Sequence, residues 1–145
     1  MSNVASSPPP AWFRIAAIVA VLWALAGVYA CYTQLTLTQA QLSALPAAQR
    51  DAFSSMPRLI SVAYIIAVAG GLAGSVLPLV RKRQARLAFL ISLGGIIVQF
   101  GWVFLIYHGA SALGLSAIAF PAFITGVCAA EIWLTGLAIR RGWTA

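Results

Sequence analysis

The stretch "GGLAGSVLPLVRKRQARLAFLISLGG", residues 70–95, places a cluster of basic residues between two apolar runs. The segment "RKRQAR" at residues 81–86 is too polar to continue either run, and the runs extend over about residues 58–80 and 85–107. An α-helix needs about 20 residues to cross the hydrocarbon core of a bilayer. This stretch therefore predicts two membrane-spanning helices joined by a short basic turn.

Two further apolar runs, at about residues 12–33 and 116–139, have the same character. Of the 145 residues, 62% are hydrophobic and 8% are charged, whereas about a quarter of a soluble domain is charged. None of the four runs shows the polar face of a soluble or interfacial helix. The sequence predicts an all-α membrane protein, a single bundle of four transmembrane helices over residues 12–145, preceded by a flexible proline-rich tail at residues 1–11.

The distribution of basic residues predicts the orientation of this bundle. Seven of them lie on the side of the basic turn and two on the other side; the seven are Arg14, Arg81, Lys82, Arg83, Arg86, Arg140 and Arg141, and the two are Arg50 and Arg58. Lysine and arginine accumulate on the cytoplasmic side of membrane proteins. We therefore expect a multi-pass protein of the bacterial inner (cytoplasmic) membrane, with both termini cytoplasmic. The net charge of +7 then reflects topology, and no nucleic-acid partner is expected.

The segment at residues 34–57 is predicted to be an external loop. Thr38 followed by Gln41 matches a capping box, and Pro46 is suited to opening a second short helix. A simple connector is the interpretation that we favour, and a short helix on the membrane surface is the alternative. Pro121 allows two starts for the fourth span, near Ser116 or at the proline itself. The pattern favours a helix that contains the proline and is kinked there.

Small residues mark the faces on which membrane helices pack closely. The predicted packing residues are Ala20, Ala24 and Gly27 in the first span, Ala67, Gly70 and Gly74 in the second, and Gly95 in the third. Because small residues recur on one face of both the first and the second span, we expect these two spans to form a close antiparallel pair.

Glu131, within "VCAAEIWLTG" at residues 127–136, is the main candidate functional residue, and Asp51 is the only other acidic residue. Glu131 lies nine residues before Arg140, or about 13 Å along a helix, and Gln99 lies thirteen residues after Arg86, or about 20 Å. Both positions fall in the middle half of the membrane, where the two side chains can meet. The predicted intramembrane polar site consists of Glu131, Gln99, Thr135 and Ser92.

A charged carboxylate at this depth is costly, and no lysine or arginine shares its depth, so we expect Glu131 to be a neutral acid. A hydrogen-bonding clasp that joins helices within the bundle or to another subunit is the favoured role. Proton or cation binding in a transporter is the alternative. A catalytic role is disfavoured because no nucleophile or base accompanies the acid.

The rest of the sequence gives no sign of enzymatic chemistry. It has two cysteines, no CxxC motif and no Cys/His cluster with metal-ligand spacing, so neither a metal nor a cofactor is expected. The sequence therefore predicts a non-enzymatic accessory or helix-packing subunit, with a small oligomeric transporter coupled to protons or cations as the alternative. The expected partners are the lipid bilayer and either further copies of the chain or a larger membrane complex.

Several short motifs carry a resemblance to small four-helix inner-membrane proteins of proteobacteria. They are "AWFRIA" (11–16), "VLWALAGV" (21–28), "LSALP" (42–46), "AVAGGLAG" (67–74), "VRKRQA" (80–85), "IIVQFGW" (96–102) and "RRGW" (140–143). Some of these proteins carry an automatic "sugar transporter" designation. The resemblance implies four spans in the inner membrane and assigns no functional residue.

Small multidrug resistance exporters also have four spans and one membrane glutamate, but they carry it in the first span, where this chain has none. DoxX-like proteins share the length and the number of spans but not the motifs.

Overall fold

The computed structural model describes residues 8–106, 108, 111 and 114–144, and most of the predicted tail lies outside them. Six α-helices occur in this part of the chain, which contains no β-strand. They are α1 (Ala11–Leu35), α2 (Gln39–Ser43), α3 (Ala47–Ser55), α4 (Arg58–Val76), α5 (Ala85–Gly101) and α6 (Ser116–Arg140). A π-helical segment, Trp102–Ile106, continues α5.

Helices α1, α4 and α6, and α5 together with its π-helical continuation, are each long and apolar enough to cross a membrane. Their outward faces carry large apolar side chains, such as Ile15, Leu22, Leu59 and Leu105, which are 62–79% exposed. In water such surfaces would be unfavourable, whereas lipid solvates them. The prediction of an all-α protein with four membrane-spanning helices is confirmed.

Two prolines have different positions relative to the long helices. Helix α4 ends at Val76, four residues before the end predicted from hydropathy. Pro78 follows, and because its ring has no N–H and crowds the preceding turn, the chain leaves the regular helix there. Pro121, in contrast, lies inside α6, as predicted. The hydroxyl of Thr125 donates to the backbone oxygen of Pro121 at 2.8 Å.

The segment between α1 and α4 contains two short helices. The predicted capping box is confirmed at the start of α2: the Thr38 hydroxyl accepts from the Gln41 N–H, and the Gln41 side chain accepts from the Thr38 N–H at 2.9 Å. Pro46 is the N-cap residue of α3. The connector therefore consists mainly of two short helices, α2 and α3. We call the end of the bundle that carries it the loop end, and the end that carries the turn at residues 81–86 the basic end.

The four long helices pack in the order α1, α4, α5, α6, and the contact between α4 and α5 is the most extensive. A Cβ atom built on Gly95 would lie 2.6 Å from the backbone oxygen of Ala63, and one built on Gly70 would lie 2.8 Å from that of Ala88. These glycines allow the two backbones to approach closely. The predicted contact between the first two spans, α1 and α4, is present, but the closest approach is between α4 and α5.

The basic end is closed by the last residues of the chain. Gly142 has a φ of 68°, and the N–H of Trp143 donates to the backbone oxygen of Ala138 at 2.9 Å. This hydrogen bond and the left-handed glycine form a Schellman motif, which turns the chain back across the end of α6. The Trp143 ring lies 5.2 Å from that of Phe13, and its backbone oxygen accepts from Arg81 Nε at 3.2 Å. The closing residues thus connect α6 to both α1 and the basic turn.

Candidate functional site

A cavity of about 530 Å³ lies between the four long helices in the half of the bundle nearest the loop end. Residues within positions 23–34 of α1, 64–71 of α4, 92–103 of α5 and its continuation, and 120–131 of α6 line it. Side chains of α3, among them Phe53 and Met56, line the mouth. Ligand sites commonly have volumes of about 300–1,000 Å³ and occur between the helices of bundles. This cavity is large enough to hold a small organic molecule.

Glu131 lies at the floor of this cavity. On α6 the lining residues Phe120, Ile124, Cys128 and Glu131 follow one another at steps of four, four and three, so they share one helical face. A second cavity of about 30 Å³ begins on the other side of Glu131 and lies toward the basic end, near Thr135. That volume is about the space that one water molecule occupies in the liquid. Glu131 therefore separates a large cavity from a small one.

The carboxylate of Glu131 has no hydrogen bond and no salt bridge to any of the described residues. The backbone oxygen of Glu131 accepts from the Thr135 hydroxyl at 2.9 Å, and the side-chain carboxylate takes no part in this bond. No lysine, arginine or histidine in the described part of the chain lines either cavity. Among the described residues of this chain, no hydrogen bond joins two helices through this carboxyl group.

Gln99 and Glu131 line the same cavity but lie at its two ends. The Cys128 thiol donates to the backbone oxygen of Phe89 at 3.6 Å, and this bond sets the register between α6 and α5. Gln99 follows Phe89 by ten residues, or about 15 Å toward the loop end. Glu131 follows Cys128 by three residues, or about 4.5 Å toward the basic end. Their side chains therefore surround a ligand-sized space instead of forming a direct pair.

The other two predicted polar residues have structural hydrogen bonds. The hydroxyl of Ser92, which lines the large cavity, donates to the backbone oxygen of Ala67 at 2.5 Å and joins α5 to α4. The hydroxyl of Thr135 donates to the backbone oxygens of Glu131 and Ile132 within α6. Ser92 and Thr135 thus satisfy their own hydroxyl groups and leave the Glu131 carboxylate unpaired.

The predicted packing residues divide between close contacts and the cavities. Ala67 and Gly74 are buried, and Gly70 and Gly95 lie against backbone atoms of the facing helix. The residues of α1 behave differently. Ala24 and Gly27 line the large cavity, Ala20 lines the small one, and a Cβ atom on Gly27 would meet nothing within 4 Å.

Aromatic side chains that the sequence analysis did not select form much of the cavity wall. Trp23, Tyr64, Phe100 and Trp102 all line it. Tyr64 had a recognisable signal, because it lies three residues before Ala67 on the face of the second span that small residues mark as inward. Trp23 had a similar signal, because it lies three residues after Ala20 and four before Gly27, beside the small-residue face of the first span.

Side chains, more than close backbone packing, connect α1 and α6 across the cavity wall. The rings of Trp23 and Phe123 lie 5.6 Å apart in an edge-to-face arrangement. At the mouth, the Gln34 side-chain amide donates to the sulfur of Met56 at 4.0 Å, which connects α1 to the end of α3. Contacts of this kind can separate and form again without breaking a helix.

The chemistry of the site is that of a single carboxyl group in an otherwise apolar cavity. The described residues contain no group of three or more His, Cys, Asp or Glu side chains that could hold a metal ion. No protein family, curated protein or solved structure matches this chain. Function must therefore be inferred from the cavity and its carboxyl group.

Proposed function

We propose that this small multi-pass membrane protein is a non-enzymatic transporter that couples the movement of a small ligand to protons or cations, with Glu131 as the exchange site. The observation that carries the proposal is the position of the Glu131 carboxylate. It has no partner among the described residues, and it lies between a ligand-sized cavity and a water-sized one. An intramembrane ionisable residue that faces a cavity is characteristic of substrate and proton pathways.

The geometry favours this function over the accessory role that the sequence analysis preferred. A clasp stabilises a bundle only by bonding to a neighbouring helix. Ser92 and Cys128 supply such bonds, since they reach backbone oxygens across α4, α5 and α6. A carboxyl group that adds no such bond still has the free-energy cost of burial, several kcal/mol for its charged form. That cost is more readily explained by ligand binding than by packing.

A carboxylate can exchange a proton for a cation because either species neutralises it, and both cannot occupy it fully at once. The large cavity would give ligand access from the loop end, and the small cavity would extend the path toward the basic end. With the basic turn in the cytoplasm of a bacterial cell, the large cavity would face outward. Four spans seldom enclose a complete pathway, so we propose that at least two copies assemble.

Chemical labelling of Glu131 tests whether the carboxyl group is accessible. Dicyclohexylcarbodiimide reacts with protonated carboxyl groups in apolar surroundings, and intact mass spectrometry detects the adduct. We expect the folded wild-type protein in mild detergent to be labelled and the Glu131→Gln variant to lose that label. Asp51→Asn is the matched control because it removes the only other carboxylate side chain, which is exposed on α3. This variant should be labelled like the wild type.

The opposite result would support the accessory role. If Glu131 is labelled only after the protein is unfolded, its carboxyl group is enclosed within the bundle. The proposed exchange site would then be wrong, whatever the ligand.

A further inference from the structure

Resting on the proposed function, we infer that the ligand of the large cavity is a bulky organic monocation, such as a quaternary ammonium or phosphonium ion. Its charged centre would lie beside Glu131, and its apolar substituents would fill the space between α1, α4, α5 and α6. Three properties of the cavity lead to this class of ligand: its charge, its lack of coordinating oxygens at the floor, and its aromatic wall.

The charge of the cavity favours a cation over an anion. Among the described lining residues, Glu131 is the only Asp, Glu, Lys, Arg or His side chain. The remaining walls are mostly apolar, and the attraction between opposite charges is several times stronger in such surroundings than in water. An anion would meet the carboxylate without any compensating positive group.

The arrangement of oxygen atoms disfavours a metal ion. Calcium and magnesium need about six or more oxygen ligands. Near Glu131 the side-chain oxygens that line the cavity are those of its own carboxylate and of the Ser92 hydroxyl, and Gln99 lies at the far end of the cavity. The floor therefore cannot replace the hydration shell of a small, strongly hydrated ion. A cation whose charge is shielded by apolar groups holds water weakly and needs only one counter-charge.

The cavity wall suits the apolar part of such a ligand. Trp23, Tyr64, Phe100 and Trp102 place aromatic groups along the path from the mouth toward Glu131. Aromatic faces attract cations and also provide large contact areas for apolar groups. With a volume of about 530 Å³, the cavity has room for a charged centre together with several substituents.

Two probe ions of nearly equal size and opposite charge test the inference. We would titrate tetraphenylphosphonium and tetraphenylborate into the purified full-length protein by isothermal titration calorimetry, with protein-free micelles as the blank. The wild type should bind the phosphonium at least tenfold more tightly than the borate. Glu131→Gln should lose at least tenfold in phosphonium affinity and abolish the preference, and Asp51→Asn should retain both.

A protection experiment keeps the test decisive if Glu131→Gln folds poorly. In the wild type, tetraphenylphosphonium should slow the carbodiimide labelling of Glu131, and tetraphenylborate should not.

Equal binding of both ions would overturn the inference of a cationic ligand, but it would still show that the cavity binds a ligand. If Glu131 is labelled but the phosphonium neither binds nor slows the labelling, the inference of a cationic ligand is likewise refuted. The proposed exchange site then remains intact. Failure of both labelling and binding would refute both proposals.

Discussion

Two glycines in different halves of the bundle have opposite roles. In the half near the basic end, a Cβ atom on Gly74 would lie 2.7 Å from the ring of Phe89, so the missing side chain allows α4 and α5 to fit together. In the half near the loop end, Gly27 lines the cavity and a Cβ atom there would meet nothing within 4 Å. At Gly74 the missing side chain thus allows close packing, whereas at Gly27 it leaves open space.

This difference has a physical consequence for stability and motion. Apolar surface gives little drive to associate within lipid, so close fit and hydrogen bonds hold the helices together. The basic end has the aromatic group of Phe13 and Trp143 and the bond from Arg81. The loop end has the Trp23–Phe123 contact and the weak bond between Gln34 and Met56. We expect helix movements that admit a ligand to occur at the loop end, where the contacts between the described residues are weaker.

The largest expected effect concerns the side of the membrane on which each half lies. Reporter fusions at residue 84, in the basic turn, should give a cytoplasmic signal, because lysine and arginine accumulate on that side. Fusions near residue 45, between α2 and α3, should give an external signal. Alkaline phosphatase and green fluorescent protein, which are active on opposite sides, measure this. A reversed pattern would invert the orientation, and signals from one side only would contradict the four-span topology.

The second effect compares the two glycines directly. Gly74→Leu should reduce the free energy of unfolding by about 2 kcal/mol or more, because its side chain must displace the ring of Phe89. Gly70→Leu should act similarly, since its Cβ atom would lie 2.8 Å from the Ala88 oxygen. Gly27→Leu should melt close to the wild type while reducing the space available to a ligand. Melting curves in mild detergent provide the measurement.

A result in which Gly27→Leu and Gly74→Leu destabilise the protein equally would remove the distinction between a glycine that packs helices and a glycine that lines the cavity. Gly94→Leu serves as the control for leucine substitution itself. Gly94 is exposed on α5 next to Gly95, and a Cβ atom there would meet nothing within 4 Å. This variant should therefore be nearly neutral.

Sequence predicted the features of the fold that depend on a single helix. Hydropathy and length identified the four spans, the Thr38–Gln41 spacing identified the capping box, and the pattern around Pro121 favoured a proline inside the last helix. The early end of α4 and the π-helical segment after Gly101 were missed. Hydropathy does not change at Val76, since apolar residues continue beyond it whether or not the helix does.

Sequence was less informative about the site because the site depends on how helices are placed relative to one another. Counting residues from each helix end put Gln99 and Glu131 at similar depths. The hydrogen bond from Cys128 to Phe89 instead sets a register in which the two residues lie at opposite ends of a cavity. A cavity forms where neighbouring helices are not in contact, and the residue pattern of a single helix does not show where such a gap lies. Glu131 was recognisable because a carboxylate within an apolar membrane helix costs free energy wherever the neighbouring helices lie.

The smallest expected effect tests the wall between α1 and α6, where Trp23 and Phe123 meet at 5.6 Å. An edge-to-face pair contributes about 0.5–1.5 kcal/mol beyond the area that it buries. A double-mutant cycle with Trp23→Leu, Phe123→Leu and the double variant should therefore give a coupling of about 1 kcal/mol in the free energy of unfolding. Because lipid contacts affect each single variant but cancel in the cycle, the coupling isolates the contact between the two rings. The same cycle at Phe13 and Trp143 in the basic end provides the comparison. If Phe13 and Trp143 are coupled but Trp23 and Phe123 are not, the wall near the loop end is open to lipid. A ligand can then enter the cavity from the side.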